Sequence, residues 1–170
     1  MIHVCSLSRV RETVTATGAR HMVTLLGDGD HVARPASIMA ENHLWLRVHD
    51  ISAPLDGHVT PEAEHVEQLL AFVRQWPREA PLVIHCYAGI SRSTAAAFVS
   101  VCALNPLHDE AVVARALRRA SPTATPNARI ISLADKLLER KGRMVKAIEA
   151  IGTGMPASEA TPFLLNLQGH

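Results

Sequence analysis

Apolar positions in this chain follow two rhythms. From Ile2 to Leu7, from His21 to Leu26 and from Pro81 to Ile84 they run together in short stretches, the pattern of buried strands. His43 to Val48 alternates as His-Leu-Trp-Leu-Arg-Val, which predicts another strand with one face covered. Elsewhere the spacing is helical. Arg9 to Thr17 is predicted as a helix closed by Gly18. Val66, Leu69, Leu70 and Val73 recur at helical intervals up to Trp76-Pro77. Thr60 is predicted to cap that helix, with Pro61 at its first position and Glu62 and Glu64 complementing the dipole. An alanine-rich helix is predicted over Ser91–Leu104, ended by Asn105-Pro106. Asp109–Ala120 and the stretch from Asn127 form two more, the second carrying Ile130, Ile131, Ala134, Leu137 and Leu138 on one face. Gly142 interrupts, and Val145, Ile148 and Ile151 resume the period.

Turn chemistry separates these elements at Gly27-Asp28-Gly29-Asp30 and across the loop Asp50–Thr60, which holds Pro54 and Asp56-Gly57. Strands alternating with helices early, and helices clustering late, predict an α/β fold: a central, mostly parallel sheet of about four to five strands flanked by helices. A length of 170 residues fits one domain with a real core. That domain is expected over 1–151, followed by a C-terminal tail, 152–170. The tail is Gly/Pro/Ser-flavoured, then apolar at Phe163-Leu164-Leu165. Docking on the body and pairing with a partner chain are both open to it.

The chemistry is concentrated in His85-Cys86-Tyr87-Ala88-Gly89-Ile90-Ser91-Arg92-Ser93, which lies between an apolar strand and the alanine-rich helix. A thiolate that attacks phosphorus needs donors for three equatorial oxygens and a positive potential on the sulfur. A tight loop leading into a helix N-terminus offers backbone N–H groups and the positive end of the dipole. Arg92 adds a planar fork suited to two phosphoryl oxygens.

This segment resembles the signature loop of the cysteine-based protein tyrosine phosphatases, particularly their compact dual-specificity branch: His-Cys, five residues, Arg, then Ser or Thr, with Ala-Gly inside. The resemblance spans roughly Leu44 to Leu138 in pattern and is specific only around the loop. It implies a phosphatase-like fold, Cys86 as nucleophile and Arg92 as phosphate clamp. It further implies that Ser93 eases the departure of the sulfur from a phosphocysteine and that His85 orients the loop from behind. Tyr87, Ala88, Gly89, Ile90, Ser91 and Arg92 would bind the phosphoryl group. The family's general acid is an Asp at a strand end upstream of the nucleophile, and Asp50 occupies that place. Asp56 is the rival, set in a turn-forming Asp-Gly. A Pro-Asn turn found in some members is matched by Pro126-Asn127, so Asn127 is a candidate for holding the hydrolytic water as well as a helix cap.

Other readings are weaker. His49-Asp50 could be the metal dyad of a His-Asp phosphohydrolase, but no helix carries the further ligands. No metal and no cofactor are expected. Cys5, at the end of the first strand, could form a protective disulfide with Cys86, although a buried structural thiol is commoner; Cys102 reads as core. A rhodanese-like sulfur transferase and a phosphopeptide-binding pseudophosphatase are alternatives. Against them stand Asp50 and the Arg92-Ser93 pair.

Composition narrows the field. A net charge of +1 and 4% aromatic residues give no nucleic-acid footprint. Three unevenly spaced cysteines are not a disulfide framework, and a catalytic thiolate calls for a reducing compartment. The first residues lack a signal-peptide core and no run is long enough to span a membrane, so a cytoplasmic protein is expected. Tyr87, Ile90 and Ser91 add no charge, whereas relatives acting on inositol polyphosphates tend to place lysines there. The expected partner is therefore a phosphorylated protein bearing phosphotyrosine, with dual specificity open, or alternatively a small phosphomonoester such as a metabolite or lipid. The sequence leaves the oligomeric state open.

Overall fold

The computed structural model describes residues 1–166; the last four positions of the predicted tail lie outside them. Five strands form one sheet: β1 (Ile2–Cys5), β2 (His21–Leu26), β3 (His43–Arg47), β4 (Leu82–His85) and β5 (Phe163–Leu165). Their order is β3-β2-β4-β1-β5, parallel except for β5, which runs antiparallel along β1. The predicted α/β class and mostly parallel sheet are what the chain adopts.

Six helices accompany it: α1 (Val10–Thr17), α2 (Ala63–Gln75), α3 (Arg92–Leu104), α4 (Glu110–Ala120), α5 (Ala128–Leu137) and α6 (Arg143–Ile151). One face of the sheet carries α1, with Val10 and Val14 packed among Cys5, Met22, Ile38 and Val83. The other carries the larger core, in which α3 is buried on every side from Arg92 to Cys102. The small Ala95-Ala96-Ala97 run lets this helix lie close to the sheet, and its buried Thr94 and Ser100 hydroxyls are satisfied by the carbonyls of Ile90 and Ala96.

Several boundaries depart from the sequence expectation, and three of them have a visible cause. β1 stops at Cys5 rather than Leu7, because Leu7 N–H leaves the sheet and donates to the Tyr87 carbonyl at 3.0 Å. Thr60 does not cap α2; Glu62 does, two positions later, and its N–H donates to His65 Nδ1 at 3.0 Å. The delay has a local cause. Val59 is held by His49, whose N–H donates to Val59 O at 2.9 Å while Val59 N–H donates to His49 Nδ1 at 2.8 Å. β4 begins at Leu82, one residue after Pro81, which has no N–H for the ladder.

The tail segment returns to the body. The Arg118 guanidinium donates to the carbonyls of Pro122 at 2.8 Å and Gly152 at 2.7 Å, pinning the end of α6 to the α4–α5 loop. Gly154 N–H donates to Thr125 Oγ1 at 3.0 Å and Ala160 N–H to the Ala88 carbonyl at 2.9 Å, after which the chain forms β5. Residues 152–162 thus make a strap across two loops at the C-terminal end of the sheet.

Candidate active site

Parallel strands direct their C-terminal ends to one edge, and there β4 delivers His85 and Cys86 just ahead of α3. Two groups converge on the sulfur: the Ser93 hydroxyl, 3.0 Å away and able to donate or accept, and Gly89 N–H, which donates at 3.3 Å. Gly89 reaches that position with φ +75°, and a Cβ on it would stand 2.9 Å from the backbone of Cys5 and Ser6, so no other residue fits. Cys86 is 2% and Arg92 8% exposed. Arg92 Nη1 donates to Val48 O at 2.9 Å, and its buried Nε has no partner among the described residues.

Asp50 follows β3, exposed, and reaches the loop. Its Oδ1 accepts from Ser91 Oγ at 2.7 Å and from Asn127 Nδ2 at 2.9 Å. Asn127 also caps α5, its Oδ1 accepting the N–H groups of Arg129 and Ile130, so the two roles coexist in one amide. Asp56 is not brought to the loop by any such bond; it lies in the exposed turn Leu55–His58, closed by His58 N–H on Leu55 O at 3.1 Å.

Behind the loop runs a polar chain that the sequence did not disclose. His85 Nδ1 lies 3.2 Å from the Cys86 carbonyl, which can only accept, so that nitrogen carries the proton. Nε2 then accepts from Thr24 Oγ1 at 2.8 Å, leaving the Thr24 oxygen to accept from His43 Nε2, also at 2.8 Å. Burial pushes His85 down to about 4, helped by His43 and Arg92 and opposed by its bond to Cys86, so it is neutral at pH 7. Thr24 sits directly opposite His85 in the β2–β4 register.

The remaining loop positions divide by exposure. Ala88 and Ile90 carbonyls are taken by Ala160 N–H and Thr125 N–H, both at 2.9 Å, whereas Tyr87 is 59% exposed. Cys5 and Cys102 are free and buried, and burial pushes each thiol up to about 12. His49 is engaged by Val59, and among the described residues no group of three His, Cys, Asp or Glu side chains is placed to hold a metal ion. Two larger clefts, of about 620 Å³ between α5 and α6 and about 570 Å³ beside Arg20 and His21, contain none of these loop residues.

A family model for protein-tyrosine-phosphatase-like phytases, described by the words inositol hexakisphosphate, matches residues 47–102. Solved structures match over most of the chain. Human DUSP28 is 18% identical, covering 82% of this chain and 92% of that one with a TM-score of 0.63. The fold is that of the cysteine-based protein tyrosine phosphatases. Within that fold the likeness is to compact dual-specificity forms: DUSP15 is 16% identical over 88% of this chain and 89% of its own, with a TM-score of 0.65. The PTP-2 phosphatase of Cydia pomonella gives 19%, 79%, 84% and 0.62 for the same measures. No curated protein matches the sequence. Among the described residues no helix of this phosphatase fold is long and apolar enough to cross a membrane.

Proposed function

We propose that the chain hydrolyses phosphomonoesters through a phosphocysteine, with phosphotyrosyl protein as its substrate class and dual specificity open. The observation that carries the reading is Arg92: a buried arginine at the first turn of α3, at the end of the loop that starts with Cys86, whose Nε has no acceptor among the described residues. An unmet buried donor costs about 1–3 kcal/mol, and a phosphoryl oxygen would meet it.

The chemistry follows from the placement. Cys86 sulfur attacks phosphorus as the P–O bond to the leaving group breaks, while loop N–H groups and Arg92 take the equatorial oxygens. Asp50 protonates the leaving oxygen. Because Ser91 and Asn127 both donate to Oδ1, the acid proton belongs on Oδ2. Water then attacks the phosphocysteine, Asp50 takes its proton, and Ser93 Oγ–H donates to the departing sulfur. His85, neutral and bonded to the Cys86 carbonyl, fixes the peptide that carries the sulfur. Three free cysteines and a thiolate nucleophile suit a reducing, cytoplasmic setting.

The family-model match favours a second reading, inositol hexakisphosphate as substrate. Tyr87, Ile90 and Ser91 offer no cation to its further phosphates, which places it second. The test is turnover of p-nitrophenyl phosphate, phosphotyrosyl peptide and inositol hexakisphosphate by wild type and Cys86→Ser. Turnover that persists in EDTA and vanishes in the mutant supports the phosphocysteine route; a normal rate in Cys86→Ser ends it.

A further inference from the structure

Beside the phosphate loop lies a cleft of about 440 Å³ lined by Leu7, Ser8, Tyr87, Ser158 and Glu159. Its two distinctive walls are an exposed aromatic ring and a carboxylate. Tyr87 directly follows Cys86, and Glu159 directly precedes Ala160, whose N–H is bound to the Ala88 carbonyl. The strap therefore holds the carboxylate at the rim of the loop by a backbone bond, independently of the side chain.

That carboxylate is ionised and oriented. Ser6 and Ser8 hydroxyls both donate to Oε1, and these bonds, with a smaller contribution from Arg9, hold Glu159 below the usual carboxylate range. Oε2 takes no donor among the described residues. Arg9 does not neutralise the charge, because its fork is committed to Glu12 at 2.9 and 3.0 Å. A fixed carboxylate sharing a cleft with an exposed ring is complementary to an ammonium or guanidinium, which gains a charge-assisted hydrogen bond from the one and the negative face of the other.

We propose that this cleft receives the Arg or Lys side chain neighbouring the phosphorylated residue of a peptide substrate, so that Glu159 and Tyr87 select basic phosphopeptides. The inference rests on the phosphatase reading for the position of the phosphoryl group. Consecutive residues of an extended peptide advance by about 3.3–3.6 Å, so a long side chain within two positions of the phosphate spans from the loop to the cleft. A ligand carrying several phosphates would instead set like charges against Glu159.

The test uses the Cys86→Ser protein and reads binding, so that it stands apart from turnover. Fluorescence anisotropy compares phosphotyrosyl peptides flanked by Arg, Ala or Glu, with inositol hexakisphosphate as competitor. The Arg peptide is expected to bind about tenfold tighter than the Glu peptide. Adding Glu159→Gln, which keeps an oxygen for the serines, should bring the two within about twofold. Roughly 1 M salt should shrink the preference in the protein that retains Glu159. Equal affinities, no measurable binding of any peptide, a preference that survives both Glu159→Gln and salt, or displacement by inositol hexakisphosphate below the peptide concentration would each overturn the proposal. Wild-type turnover of p-nitrophenyl phosphate reports separately on the phosphatase reading: its loss alongside an intact charge preference would remove hydrolysis and leave the subsite.

Discussion

Asn127 joins a helix end to an acid: its Nδ2 donates to Asp50 Oδ1 at 2.9 Å while its Oδ1 accepts two N–H groups of α5, each at 3.1 Å. A second donation, to Ile51 O at 3.2 Å, holds the residue after the acid as well. One amide thus couples the start of α5 to the loop that carries Asp50.

Two substitutions separate its jobs. Asn127→Ala loses cap and latch together, lowering stability by about 1 kcal/mol and slowing turnover. Asn127→Asp keeps an acceptor for the helix and sets a second carboxylate against Asp50. The donor to Asp50 is then gone, so turnover should slow although the helix cap is kept. Melting curves and turnover rates of the two variants check this; an unchanged rate in Asn127→Asp would detach Asn127 from Asp50.

Asp50→Ala should slow turnover of a substrate with a poor leaving group by about 10²-fold or more, the usual worth of a positioned general acid. Asp56→Ala, in its exposed turn, should change it less than about twofold. An activated aryl phosphate should shrink the Asp50 effect, since its leaving group needs no proton. Comparing aryl and alkyl phosphates in both variants makes the measurement.

His85 makes stability depend on pH. Its folded value of about 4 lies below the unfolded value near 6.5, so the native state binds fewer protons than the unfolded chain between them. Stability is full above about pH 6.5 and is lost as pH falls toward 4, by on the order of 3 kcal/mol for a shift of this size. Burial lowers His21 and His43 in the same direction, adding to the slope. Denaturant melts across this window check it. Thr24→Val, which leaves His85 Nε2 without its donor, should cost about 1–3 kcal/mol at pH 8.

Glu110 is buried, with Arg140 at 2.7 Å and Arg143 at 3.2 Å. Burial pushes its carboxyl up, and the bonds from the two arginines outweigh this and hold it below the usual range. Glu110→Ala strands the Arg140 charge in the core and should destabilise the fold by about 3–5 kcal/mol, read by urea denaturation.

What could be read from sequence was what is local. The strand, loop and helix around Cys86 are contiguous, so their order was visible in apolar spacing and one Cys-to-Arg interval. Asp50 was legible as a carboxylate placed after a strand, although that strand stops at Arg47, three residues short of it. Thr24 and His43 were not, because their link to His85 exists only through strand register, and a threonine in an apolar strand gives no sign of its opposite number. The cap of α2 was misplaced for a similar reason: the ring of His49, ten positions earlier, holds Val59 in place. Nor could spacing say that Ala160 would return to the Ala88 carbonyl, or that the tail's apolar end would pair antiparallel with β1.

The enclosure of α3 bears on how such a molecule fails. A helix lacking any outward side has no private way to fray, and this one carries Arg92 and Ser93 at its first turn. Warming therefore finds no soft spot from which the anion cradle could come undone ahead of the rest. Any loss of function on heating is expected to coincide with melting of the domain rather than to precede it.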